Sequence, residues 1–350
     1  MLDSLLDIPY INDILHQPEA LQDTLSSLAG AELDAVAKYV GSLRNSGSLQ
    51  PIILTGMGSS YHVFNPLLIG LVRQGLPARM VEASELVHHM PGLLTPDSLV
   101  VAVSQSGASA EILQLLKQIP SQATLIGVTN TSGSPLAARA NALLLTRAGT
   151  ENAVSCKTYV SALVALAVLE ALLTGRDPAA CLSKLAGLPE AVATYLSGFS
   201  DYLETLEKRL QAVRNLVLAG RGASLAAAGT GGLIIKEAAH FPAEGMSSAA
   251  YRHGPLDMAS PQTFVLVYEG QDPTRLLNRN LVTDIQKVGG LAALVETAPG
   301  QDVFHLPSIP PLGLPILEIL PAQVLSIALA HLHDHIPGQF SWGSKVTSIE

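Results

Sequence analysis

Two cysteines in 350 residues, Cys156 and Cys181, are too few for a disulfide framework or a cysteine-built metal cluster, and they fit a reducing compartment. Positive charge is also short. Twenty Lys and Arg stand against 29 Asp and Glu, a net charge of −9, which argues against general binding to nucleic acid or to an acidic membrane. A phosphorylated metabolite is still admissible, because it needs only local donors. The first residues, MLDSLLDIPY, lack the basic start of a signal peptide. The longest apolar run, residues 160–173, carries Ser161 and Glu170 and reads as too short to span a bilayer. His88, His89, His331, His333 and His335 show no ligand spacing joined to carboxylates. The last three alternate on a segment that reads helical, which spreads them around its circumference. These absences predict a cytoplasmic protein with no metal, no membrane and no nucleic-acid partner.

What is present is largely apolar. Hydrophobic residues make up 48% and charged ones 14%, with a mean hydropathy of +0.35. Such a chain is expected to hold two domains whose surfaces are buried in α/β layers or in a subunit interface. Residues 1–45 read as a helical extension. Apolar runs at 52–54, 78–81, 99–103, 125–128 and 142–145 then alternate with helical spacing, which implies a parallel sheet covered on both faces. A long apolar helix over 159–173 closes this half, and a helical connector follows to about residue 213.

The run 99–103 stops abruptly at Ser104-Gln105-Ser106-Gly107-Ala108-Ser109, and helical spacing resumes at Ile112, Leu113, Leu115 and Leu116. Strand, hydroxyl-rich turn, helix is a place for an anion: free backbone N–H groups and the positive end of the helix dipole meet several side-chain donors. The pattern then repeats. Gly220-Arg221-Gly222 echoes Gly56-Met57-Gly58 at an offset of 164 (220 − 56), and residues 264–267 echo 100–103 at the same offset. Residues 291–295 echo 125–129 at 166 (291 − 125). The copies differ where Ser-Gln-Ser-Gly becomes Tyr268-Glu269-Gly270-Gln271. A carboxylate there repels an anion, so a single phosphate site is expected, in the first copy. The two G-x-G turns mimic a dinucleotide fingerprint, but Tyr61 and Leu225 stand where its third glycine belongs, which weakens a nicotinamide reading.

In this order the motifs resemble the double sugar-isomerase (SIS) domain family: Gly58-Ser59-Ser60-Tyr61, Glu82-Ala83-Ser84-Glu85, Ser104-Gln105-Ser106-Gly107, Ala148-Gly149-Thr150-Glu151, Gly220-Arg221-Gly222, Lys236-Glu237, Arg252-His253-Gly254-Pro255 and Ser344-Lys345-Val346-Thr347. The chain is most similar to the isomerase half of glucosamine-6-phosphate synthase and to stand-alone amino-sugar-phosphate isomerases and deaminases. The resemblance implies two flavodoxin-like SIS lobes, each a parallel sheet flanked by helices. Its divisions are an N-terminal helical extension (1–45), lobe 1 (46–178), a helical connector (179–213), lobe 2 (214–335) and a functional C-terminal tail (336–350). It further implies a homodimer with active sites at the subunit interface and no cofactor.

Residue by residue, Ser59, Ser60, Ser104, Gln105, Ser106 and Ser109 match the sugar-phosphate cradle. Gly58, Ser155 and Lys157 fall in the pocket motifs, with Lys157 also open to a structural role, and Glu244 falls in a matched motif. Glu237 matches the base that moves a proton between C1 and C2. His253, contributed by the neighbouring subunit in the family, matches the residue that opens the sugar ring, and Lys345 matches the lysine that forms an imine with the open-chain ketose. The residue types suit the chemistry: a partly desolvated carboxylate beside a C–H, a near-neutral imidazole, and a lysine in a closed pocket.

Two departures stand out. The chain begins at the helical extension with neither cysteine N-terminal, which speaks against glutamine-dependent synthesis. Ile234 and Thr230 occupy positions held in the synthase by a lysine and a glutamate. The expected activity is therefore conversion of glucosamine 6-phosphate to fructose 6-phosphate plus ammonia. A deglycase or a ketose/aldose-phosphate isomerase is the alternative within the family. A non-catalytic sugar-phosphate sensor is the alternative outside it, although residues 1–45 are too poorly basic for a DNA-binding domain.

Overall fold

The five apolar runs of the first half become five parallel strands in the computed structural model, which describes residues 7–47, 49 and 51–347. They are β1 (Ile52–Gly56), β2 (Ala78–Glu82), β3 (Leu99–Val103), β4 (Thr124–Thr129) and β5 (Ala142–Leu145), in the order β2-β1-β3-β4-β5. β1 and β3 are buried along their whole length, because helices cover both faces. On one face Val100, Ala102, Leu115, Leu125 and Leu136 pack together. The second half repeats the plan with β6 (Asn215–Gly220), β7 (Ala243–Ser247), β8 (Thr263–Tyr268), β9 (Leu291–Thr297) and β10 (His305–Leu306). Its order, β7-β6-β8-β9-β10, is the same flavodoxin-like order traced a second time. β7 and β10 are additions to the sequence reading. β7 reads Ala-Glu-Gly-Met-Ser and β10 has only two residues, so neither shows an apolar run.

The chain divides into two compact units. One holds residues 19–150, 157–186 and 343–347 around the first sheet, and the other holds 7–18, 151–156 and 187–342 around the second. Within the first unit the long apolar helix runs Lys157–Thr174, starting earlier than its composition implied. This corrects the expectation that it is too short for a bilayer: by length and composition it and the segment Leu314–Leu332 both pass. Burial explains the apolarity instead, with 78% and 89% of the two segments enclosed by protein. The histidine reading also changes. The helix Leu320–Leu332 stops at its cap His333, and Asp334 turns the chain with φ +56, so only His331 lies on the helix. Its Nδ1 sits 3.0 Å from Glu207 Oε1.

Candidate active site

β1 and β3 are neighbours with Thr55 opposite Ala102, so the turns that follow them leave the same edge of the first sheet where strand order reverses. Ligands of open α/β sheets bind at such a point. After β1 the backbone is packed on itself: a Cβ on Gly56 would stand 2.6 Å from the Ser60 carbonyl oxygen and 2.9 Å from that of Val103. Gly58 turns at φ +54, and Ser59 and Ser60 open the short helix Ser59–His62.

The turn after β3 is tied from within. Gly107 N–H donates to Ser104 Oγ (3.1 Å) and Ala108 N–H to Ser106 Oγ (3.2 Å). The Gln105 carbonyl accepts from Asn130 N–H (3.1 Å) and Thr129 Oγ1 (3.0 Å). Gly107 sits at φ +62, where a Cβ would come 2.2 Å from Ser134 Oγ. Ser109 is the N-cap residue of the helix Ala110–Gln118, yet its hydroxyl makes no capping bond. A serine in that position that does not cap leaves its hydroxyl available to an anion. Thr129, Asn130 and Ser134 were not singled out from the sequence. For the first two the signal is the polar Thr-Asn pair at the end of β4, where Thr129 is still buried.

The tail returns to this turn. Ala110 N–H, one of the donors a helix start leaves unpaired, donates to the Thr347 carbonyl at 3.0 Å. Lys345, half-buried, stands two residues from that bond. Lys157 belongs to the same unit, but its buried Nζ donates to the Thr150 carbonyl (2.6 Å) and so holds the loop after β5. Asn130 holds that loop too, donating through Nδ2 to the Gly149 carbonyl (2.7 Å) and accepting at Oδ1 from Ala148 N–H (2.8 Å). A cleft of about 840 Å³, lined among others by Tyr61, Arg79, Glu82, Glu85 and His89, opens along the β2 edge. Burial there, and Glu82 after it, push the Tyr61 phenol above its ordinary value.

Glu237, His253 and Ser155 belong to the second unit. Glu237 is half-buried near the end of the helix Leu225–Ala239. Its charge reaches Tyr10, as do those of Cys156 and Glu151. The Tyr10 phenol is driven well above its usual range, first by burial and then by the charges of these neighbours, against a hydrogen bond with Ser326 at 3.1 Å. Glu151, itself buried, accepts Cys156 N–H through Oε1 (2.9 Å) and so shapes the segment that carries Ser155. Gly338 N–H donates to the Ala238 carbonyl (3.0 Å), which anchors the chain leading toward Lys345 on the end of Glu237's helix. His253 is exposed just after the helix Ser248–Arg252, and none of the described residues hydrogen-bonds its ring. Glu244 forms an exposed ion pair with Lys236 at 3.6 Å.

Carboxyls fill the corresponding edge of the second sheet. Glu269, after β8, is buried and paired with Arg275 (2.7 Å) and Arg279 (2.5 Å). Glu318, 1% exposed, accepts from Ser224 Oγ at 2.8 Å. Burial, and to a lesser extent Glu269, push its carboxyl up to about 8. Positions 230 and 234 are both fully buried. An apolar Ile234 suits that setting, whereas a lysine there needs a buried partner such as a glutamate one turn earlier. Among the described residues no three His, Cys, Asp or Glu gather as metal ligands.

Comparison with known proteins agrees with this architecture. Residues 49–174 match the SIS domain family. The isomerizing glutamine–fructose-6-phosphate aminotransferase of Pyrococcus horikoshii is 32% identical over 97% of this chain and 57% of its own length. The chain thus spans little more than half of that relative. Among solved structures, the C-terminal domain of glucosamine-fructose-6-phosphate aminotransferase from Francisella tularensis aligns with a TM-score of 0.82 at 21% identity, covering 98% of each chain. Glucosamine-6-phosphate deaminase from Thermotoga maritima aligns with a TM-score of 0.75 at 18% identity, covering 97% of this chain and 100% of its own. At these identities the two structures bear on the fold, which they share.

Proposed function

This chain belongs to the SIS domain family through residues 49–174, and from that premise we propose that it is a cytoplasmic phosphosugar isomerase of the deaminating kind, acting on an amino-sugar 6-phosphate. The leading substrate is glucosamine 6-phosphate, the products fructose 6-phosphate and ammonia. The observation that carries the reading is the bond from Ala110 N–H to the Thr347 carbonyl, which brings the strand of tail holding Lys345 to the helix start that the hydroxyl turn opens. A lysine carried on a segment that reaches this helix start suits imine chemistry on a phosphorylated sugar better than it suits ligand storage.

In this mechanism Ser59, Ser60, Ser104, Gln105, Ser106 and Ser109 hold the phosphate through hydroxyls, the amide and backbone N–H groups. His253, supplied by the second subunit of a homodimer, passes a proton to the ring oxygen as the C1–O5 bond opens. Glu237 takes the proton from C2 and returns it to C1, which leaves an imine at C2. The Lys345 amine adds to C2 and ammonia departs. Water then releases the ketose and frees the lysine. With Ile234 and Thr230 both buried and uncharged, Lys345 is the amine this scheme relies on.

The test is ammonia release from glucosamine 6-phosphate with fructose 6-phosphate followed in the same tube. Both products are expected in equal amounts, and Lys345→Ala is expected to stop both. Turnover of a ketose phosphate without ammonia would move the reading to an isomerase, and thermal stabilisation by the sugar phosphate without any turnover would move it to a sensor.

A further inference from the structure

A cavity that this chemistry does not use lies at the carboxyl ends of β9 and β10 in the second unit. Its volume is about 540 Å³, within the range of small-ligand sites. Its walls come from the turn after β9, the residues after β10, and the two connector helices Leu188–Leu196 and Phe199–Leu210. The polar side chains that line it include Thr194, Ser197, Tyr202, Gln301, His305 and Ser308, and no Lys or Arg is among the lining residues.

Two of these groups are held in place, and one of them has a buried nitrogen without a partner among the described residues. Tyr202 lines the cavity and is only 4% exposed. Its ring is fixed between Tyr195, with centroids 5.1 Å apart, and Gly198, where a Cβ would stand 2.7 Å from the phenol oxygen. Tyr195 in turn donates to the Val303 carbonyl at 2.7 Å, which locks the connector to the loop that roofs the cavity. The second group is His305, whose Nδ1 is buried with no partner among the described residues. It lies under Gly300, which has φ +117 and would bring a Cβ within 3.6 Å of it. A buried polar atom left unpaired costs about 1–3 kcal/mol, so His305 Nδ1, on a wall that Tyr202 shares, marks a surface shaped for a hydrogen bond that an occupant makes.

The same inventory sets the class of occupant. Without Lys or Arg nothing balances a phosphate, and Asp302 and Asp201 stand close enough to raise the Tyr202 phenol further after burial has done so, which disfavours anions. Hydroxyls, an amide and an imidazole beside an aromatic ring match a polyol ring. We propose that this cavity is a second ligand site, binding an uncharged sugar that carries no phosphate.

The experiment is saturation-transfer NMR on the full chain with N-acetylglucosamine and glucose as probes, and with glucose 6-phosphate and uridine as comparisons. Transfer to a neutral sugar is expected, weakened at least tenfold in Tyr202→Phe, which removes one oxygen, and in His305→Ala. It is expected to be unchanged in the cradle variant Ser104→Ala/Ser106→Ala. No transfer to either neutral sugar, transfer that survives both cavity variants, transfer lost in the cradle variant, or transfer to uridine alone would each overturn the proposal. None of these outcomes bears on ammonia release, so this site and the catalytic reading stand or fall separately.

Discussion

Replacing Glu318 by Gln tests whether the second sheet's edge is occupied by a neutral carboxyl. The group is fully buried, its carboxyl is raised from an ordinary 4.5 to about 8, and it keeps one hydrogen bond from Ser224. Folding therefore has to protonate it at neutral pH. Because the folded value lies above the unfolded one, the favourable contribution is complete below about pH 4.5 and drains away as pH climbs toward 8. Each unit corresponds to about 1.4 kcal/mol, so the 2.5 units between 4.5 and 7 cost roughly 3 kcal/mol at pH 7. Gln keeps the shape and the acceptor for Ser224 and needs no proton. Urea midpoints of both proteins at pH 5, 6, 7 and 8 read the difference. The variant is expected to exceed the wild type by less than about 1 kcal/mol at pH 5, by about 3 at pH 7 and by about 4 at pH 8. A gap that stays constant over this range would refute the reasoning, since it would mean that Glu318 titrates alike in both states.

Other substitutions probe the first sheet and Glu237's helix. Gly107→Ala forces a side chain into a left-handed backbone against Ser134; a loss of about 1–3 kcal/mol is expected in thermal melts, together with weaker protection by glucosamine 6-phosphate. Glu237→Gln should cut turnover at least a hundredfold while leaving sugar-phosphate binding within a few-fold by calorimetry; an unchanged rate would remove Glu237 as the base. Ile234→Lys buries an unpaired charge at a fully enclosed position and should cost about 3–5 kcal/mol in urea unfolding. Adding Thr230→Glu one turn earlier should recover part of that loss, and failure to recover any would argue against an i, i+4 pair at these positions.

The sequence revealed those parts of the molecule that are continuous along the chain. β3 is five apolar residues closed by Ser104, and β8 holds the apolar run 264–267 shortly before Glu269, so strand, switch-point turn and their contrasting polarity could all be read locally. The offset announced a second copy of the pattern, while its strand order came from the structure. β7 could not be found this way, because its burial comes from pairing with β6 rather than from its own residues. The serine-rich turn after β3 was legible as a turn. What hid from view was that Ser109 does not cap and that Asn130 braces the loop after β5, since both depend on partners fixed by the tertiary fold. The bond between Ala110 and Thr347 joins residues 237 apart in sequence (347 − 110), and no periodicity encodes such a contact. Glu318 sits between the apolar helices Leu314–Leu317 and Leu320–Leu332, with no local pattern to mark it. Only its enclosure makes it a neutral acid.

The interleaving of the two units bears on how such a protein can be recombined. The second sheet's unit takes residues 7–18 and 151–156 from stretches flanking the first sheet, and the first takes 343–347 from beyond the second. A crossover placed between the sheets, near residue 186, would transplant β6 to β10 without Tyr10, whose phenol feels the Glu237 charge, and without Glu151, which acts on the same phenol, and would carry away the tail that reaches Ala110. Exchanging one lobe for that of a relative therefore calls for several coordinated junctions. Substrate preference in this chain is more readily changed one side chain at a time than by swapping halves.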